Sequence, residues 1–133
     1  MVRQFSAASV AVGDIVPGIV LHLDPGQLQA CGARCSCHAN KQVNGNHFFL
    51  CLATDEREGD WLPLFSRSGN SRLKLPPTGR EGHPKWTGGT FYFHRDQVWT
   101  ATHDAVIAAA VEAGDQSCAS FRNTLKESEI PVF

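Results

Sequence analysis

The chain has 133 residues, the length of one domain, and its 42% apolar and 19% charged residues exclude a disordered chain. Lys and Arg number 12 and Asp and Glu 13, a net charge of -1 that excludes a generally basic nucleic-acid binder and leaves room for a local basic patch. The longest unbroken apolar block, Ala105 to Val111, is far too short to cross a bilayer.

The N-terminal stretch "FSAASVAV" follows the single basic residue Arg3 and is only mildly apolar, a poor signal peptide. The expected location is therefore the cytoplasm, where thiols stay reduced. "DIVPGIVLHL", Asp14 to Leu23, reads as the first strand and closes at the turn Asp24-Pro25-Gly26. Pro17 and Gly18 make it an edge strand or a bulged one. "HFFLCLA", His47 to Ala53, follows the tight-turn pair Asn44-Gly45 and reads as a strand. "DWLPLFS", Asp60 to Ser66, alternates Trp61, Pro63 and Phe65 against Leu62 and Leu64, so Trp61 belongs to the core.

Residues 67–86 form a long loop rich in Gly, Pro and Ser. Its charges are Arg67, Arg72, Lys74, Arg80 and Lys85 against the single acid Glu81. A loop of this length is either a mobile, solvated segment or a functional one, here an RNA groove. "GTFYFH" (Gly89 to His94) and "QVWTAT" (Gln97 to Thr102) are two β-type runs, forming a hairpin or one bent strand, with Trp99 in the core. The triplet His94-Arg95-Asp96 matches a kinase loop in letters only and is assigned no role.

Thr102 then caps a helix with Asp104 in its first turn, and His103, Val106, Ile107, Ala110 and Val111 lie on one side. Gly114 ends it. A second short helix is expected over Ser117 to Lys126, within a C-terminal tail of residues 115–133. The whole is one domain of residues 1–133, a small mainly-β barrel of five or more short strands with a C-terminal helix.

Four of the five cysteines fall between Cys31 and Cys51. Zinc takes four thiolate or imidazole ligands, usually from two short loops. Cys31, Cys35, Cys37 and His38 are the candidate ligands, but Cys35 and Cys37 are one residue apart and make no such loop. The other readings are a disulfide between two of Cys31, Cys35 and Cys37, and an ordinary thiol-containing surface loop, which the spacing favours. Cys51 lies in an apolar run and reads as a small buried hydrophobe.

The opening "VGDIVPGIVLHLDPG", then "NHFFLCLATD", "LPLFSRS" and "GGTFYFHRDQVWTAT", resemble in order the motifs of the PemK/MazF family of toxin endoribonucleases, over roughly Val12 to Val111. The resemblance implies an SH3-like barrel, a homodimer, an antitoxin partner, and cleavage of single-stranded RNA without a metal or other cofactor. The implied reaction is attack of a ribose 2′-OH on the adjacent phosphate, which needs a base, an acid and a donor for the extra negative charge. The sequence departs from the family at two positions. His47 and Phe48 stand where the family has Arg-Pro, and Ser66 follows Phe65 where the family has threonine before its serine.

Histidine exchanges a proton near neutral pH, so His47 is the candidate acid-base residue, against the plain reading of a solvated strand-end histidine. It does not replace an arginine as a permanent phosphate clamp. Ser66 and Arg67 are the candidate phosphate contacts, with Ser66 otherwise an ordinary turn residue. Arg72, Lys74, Arg80 and Lys85 would follow the RNA backbone by charge, and Trp86 would stack on a base. Two other functions stay open: a non-catalytic binding domain of the same architecture, and a small zinc-binding protein.

Overall fold

The computed structural model describes residues 10–110 and 122–132. Among them the chain forms β1 (Ile19–Leu23), α1 (Pro25–Ala30), β2 (Arg34–Cys35), β3 (His47–Thr54), β4 (Glu58–Pro63), β5 (Leu73–Lys74), β6 (Arg80–Glu81), α2 (Pro84–Thr87), β7 (Tyr92–Phe93), β8 (Trp99–Thr102), α3 (His103–Ala109) and β9 (Asn123–Leu125). Seven strands form one antiparallel sheet in the order β2-β8-β4-β3-β1-β9-β6, and β5 pairs with β7 in a separate ladder. The protein is mainly β. Among the described residues β2 and β6 lie at opposite ends of the sheet and do not pair, so no closed barrel forms. No described helix is long and apolar enough to cross a membrane.

The sheet carries a core on each face, and side-chain alternation sorts residues between them. Ile19, Leu21 and Leu23 of β1 join Phe49 and Cys51 of β3, Trp61 of β4 and Trp99 and Ala101 of β8 on one face. There they meet Leu28 of α1 and Ala105, Val106 and Ala109 of α3. Val20, Leu50 and Leu62, one residue out of step, face the other way and meet Leu75, Trp86 and Phe93. Burying both faces in layers satisfies the apolar strands without the sheet having to close on itself.

The second layer draws on residues 67–86, a stretch that is mostly exposed, as a solvated loop would be, but is anchored at two points. That stretch forms β5, β6 and the start of α2, and its Leu75 and Trp86 are 0% and 1% exposed. Arg80 is the reason an irregular segment stays packed. Its guanidinium donates to the carbonyls of Leu75, Pro76, Trp86 and Gly89 at 2.5–3.3 Å and lies over the Trp86 and Phe91 rings. Burial lowers its pKa from the usual guanidinium value.

Other boundaries differ from the sequence pattern for local reasons. β1 is not an edge strand; it lies between β3 and β9 and starts only at Ile19. Pro17, which has no N–H to give a ladder, lies just before it, and Gly18 adopts φ +95 so that its N–H reaches Cys51 and its carbonyl accepts from Leu125. Asp24-Pro25-Gly26 is a helix start, not a turn: the Asp24 carboxylate accepts from Gly26 N, and Pro25 sits at the first helical position. β7 and β8 are neither hairpin nor one strand, since β7 pairs with β5 and β8 lies between β2 and β4. Thr102 does cap α3, accepting from Ala105 N at 3.1 Å. That helix ends at Ala109, because Ala110 turns extended and bridges to Leu23. Val111, Gly114 and the first half of the expected second helix lie outside the described residues, and in its second half Asn123–Leu125 is strand β9.

Candidate functional site

β3 and β4 are neighbours, so the start of one lies beside the end of the other. His47 opens β3, and Phe65, Ser66 and Arg67 follow β4. Phe65 is fixed by two 2.8 Å backbone hydrogen bonds with Tyr92, which draws the start of β7 alongside. The result is a cleft of about 470 Å³ lined among others by His22, His47, Phe65, Ser66, Arg67 and Arg72. None of the described residues lining it is acidic. An open site with two arginines and two histidines and no carboxylate suits an anion.

Phe65 organises this cleft. The His47 ring meets it edge-on at 5.4 Å, the His94 ring edge-on at 5.3 Å, and the Arg72 guanidinium lies over its face at 4.1 Å. Arg72 is held further by Nη1 donating to Arg67 O at 2.9 Å and Nε donating to His94 Nε2 at 3.2 Å. Its Nη2 makes no hydrogen bond to a described residue. Because His94 Nε2 accepts, the neutral His94 ring carries its proton on Nδ1.

His47 has a defined tautomer as well. Its Nδ1 lies 2.6 Å from Gly45 O, and a carbonyl oxygen only accepts, so Nδ1 carries the proton. The lone pair of the neutral ring is then on Nε2, the atom that would act as a base.

Of the residues the sequence singled out, His47, Ser66, Arg67 and Arg72 share one cleft. Lys74 on β5 and Lys85 on α2 are exposed outside it. Arg80 and Trp86 take structural places instead of RNA-contacting ones. The Arg80 guanidinium is filled by backbone carbonyls, and Trp86 is buried with its indole N–H donated to Thr124 O at 2.9 Å, so its ring has no open face for a base. Trp61 and Trp99 are core, as the alternation predicts.

Sequence reasoning missed Phe65 as a platform and assigned His94 no role. The signal lay in Phe65 standing between Leu64 and Ser66 at a strand end, where an aromatic ring is only half-buried. His94 gave no signal, because its partner Arg72 is distant in sequence.

Among the described residues no three His, Cys, Asp or Glu side chains gather to hold a metal ion, so the candidates Cys31, Cys35, Cys37 and His38 do not form a ligand set. Cys31 is exposed and accepts from Gln27 Nε2 at 3.5 Å. Cys35 and Cys37 point their sulfurs at one another, 3.5 Å apart. Burial, then the hydrogen bond and charge of Cys35, push the Cys37 thiol up to about 11. Cys51 is fully buried, and burial pushes its thiol up to about 12, in keeping with a core role. Comparison with protein-family models, curated proteins and solved structures gave no match.

Proposed function

We propose that the chain is a PemK/MazF-like endoribonuclease of SH3-like architecture, its sheet an opened barrel, that cleaves single-stranded RNA without a metal ion. The observation that carries this reading is the convergence of His47, Ser66, Arg67 and Arg72 on one acid-free cleft. His47 Nε2 takes the proton of a ribose 2′-OH. The freed oxygen attacks the adjacent phosphorus, and the bond from phosphorus to the 5′-oxygen breaks. That oxygen takes a proton from water at the open mouth, leaving a 2′,3′-cyclic phosphate and a 5′-hydroxyl end. Arg67, the Nη2 of Arg72 and the Ser66 hydroxyl hold the phosphate and its developing charge. An antitoxin would cover the same basic cleft.

The experiment is cleavage of a mixed single-stranded RNA pool in EDTA. Wild type should yield cyclic-phosphate ends, and His47→Ala, purified identically, should lose activity by about 100-fold or more. Equal cleavage by wild type and His47→Ala would remove His47 from the chemistry. RNA bound but never cut would favour a second reading, a non-catalytic binding module. The preformed stack of Arg72 on Phe65 speaks for that reading, since it offers an anion site without a second acid.

A further inference from the structure

Cys35 and Cys37 flank Ser36, which is clamped to the neighbouring chain by three hydrogen bonds. Ser36 N donates to Val98 O at 3.0 Å, Ser36 Oγ donates to Asp96 O at 2.7 Å, and Val98 N donates to Ser36 Oγ at 2.9 Å. Cys35 itself pairs with Trp99 across β2 and β8. Cys37 is held from its other side, where Gln42 Nε2 donates to its carbonyl at 3.0 Å. The backbone on either side of both sulfurs is thus fixed. With side chains two residues apart on one face, the sulfurs converge to 3.5 Å. Cys37 also lines a cavity of about 340 Å³ beside Lys41, His94 and Asp96, which gives a small molecule a way in. The other described thiols are differently placed: Cys31 is engaged by Gln27, and Cys51 is sealed in the core.

We propose that Cys35 and Cys37 form a dithiol modification site, which low-molecular-weight disulfides of the glutathione type convert to an intramolecular disulfide. One cysteine thiolate attacks a sulfur of the small disulfide, forming a mixed disulfide and releasing one thiolate. The second cysteine attacks the protein sulfur of that intermediate and releases the other. The protein loses two hydrogens and two electrons, and the small disulfide becomes two thiols. The second step is favoured by proximity, because the two sulfurs already lie 3.5 Å apart. Burial first, then the hydrogen bond and charge of Cys35, raise the Cys37 thiol, and only the Cys35 contribution is lost once that sulfur is in a mixed disulfide. The sulfurs need to close only from 3.5 Å to a bond of about 2.05 Å. The ring spans a single intervening residue, so the bond is strained and readily reduced, the character of a reversible site.

The test uses the intact wild-type chain, equilibrated under native conditions in glutathione buffers of rising disulfide fraction, acid-quenched, alkylated and digested with trypsin. Cleavage after Arg34 and Lys41 isolates residues 35–41, which contain these two cysteines and no other. The expected product is that peptide lacking two hydrogens and unmodified by alkylation, restored by dithiothreitol and still formed in Cys31→Ser. In Cys37→Ser, Cys35 should instead retain one glutathione. Recovery of the wild-type peptide with both thiols alkylated at every buffer composition would overturn the proposal. So would a peptide carrying glutathione on both cysteines, or one cross-linked to the peptide bearing Cys31.

Discussion

Arg72 and Arg80 carry the same guanidinium into opposite settings. Arg72 lies over a half-buried ring and lines the cleft, whereas Arg80 is turned inward onto four backbone carbonyls. Sequence alone ranked them together as basic residues of one loop, because charge is legible in a sequence and side-chain direction is not. The difference is measurable. Arg80→Ala strips the carbonyls of Leu75, Pro76, Trp86 and Gly89 of their shared donor, and hydrogen bonds to a charged group contribute about 1.5–3 kcal/mol each, with burial of the survivors deciding the sum. A loss of about 3 kcal/mol is expected, read from the midpoint and slope of urea unfolding. Arg80→Lys should recover only part of it, because an ammonium lacks the planar fork that reaches several carbonyls at once. An Arg80→Ala protein of wild-type stability but weakened RNA binding would restore the role that its charge suggested.

At the scale of elements, the strands with unbroken apolar alternation were legible. β3 begins at His47 as its pattern predicts, and the Trp61 and Leu62 faces of β4 sort correctly into the two cores. The misses are where one local rule overrode another. The Pro-Gly pair at residues 25 and 26 reads as a turn, yet Asp24 before it makes a helix cap. Two-residue strands such as β5 and β6 have too few residues to show any period. The β3–β4 connection is short and held by one side chain: the Asp55 carboxylate accepts from Arg57 N at 2.7 Å and Glu58 N at 2.8 Å. Those hydrogen bonds, the one from Glu58 first, lower its pKa from the ordinary carboxylate value. A depressed folded-state pKa adds stability that is present above the unfolded value of about 3.9 and is lost as pH falls through the folded one. Asp55→Asn, which does not ionise, should therefore be less stable than wild type at about pH 6 and approach it at about pH 2. Urea midpoints taken across that range check this. Two curves that stay parallel throughout would mean that the turn does not depend on the charge.

Taken as a whole molecule, the chain is nearly neutral, yet its cleft collects cations because pairing brings the end of β4, the start of β3 and the start of β7 together. The meeting of His47 with Ser66 and Arg67 was read from the motif order, but the part played by β7 was not legible, since Phe65 and Tyr92 pair across a stretch that reads as a loop. It has a consequence for binding that separates the cleft from the wider basic surface. Each phosphate neutralised on a single strand adds about 0.7 to the slope of log affinity against log salt, through counterion release. If RNA lies in the cleft, Arg67→Ala and Arg72→Ala should each make the slope shallower by about 0.7, while Lys74→Ala and Lys85→Ala, outside the cleft, should leave it unchanged. Fluorescence anisotropy of a labelled single-stranded RNA across a salt series reads this directly. The opposite pattern, with the lysines changing the slope and the arginines not, would put the RNA along the exposed edge of residues 73–85 and leave the cleft to another ligand.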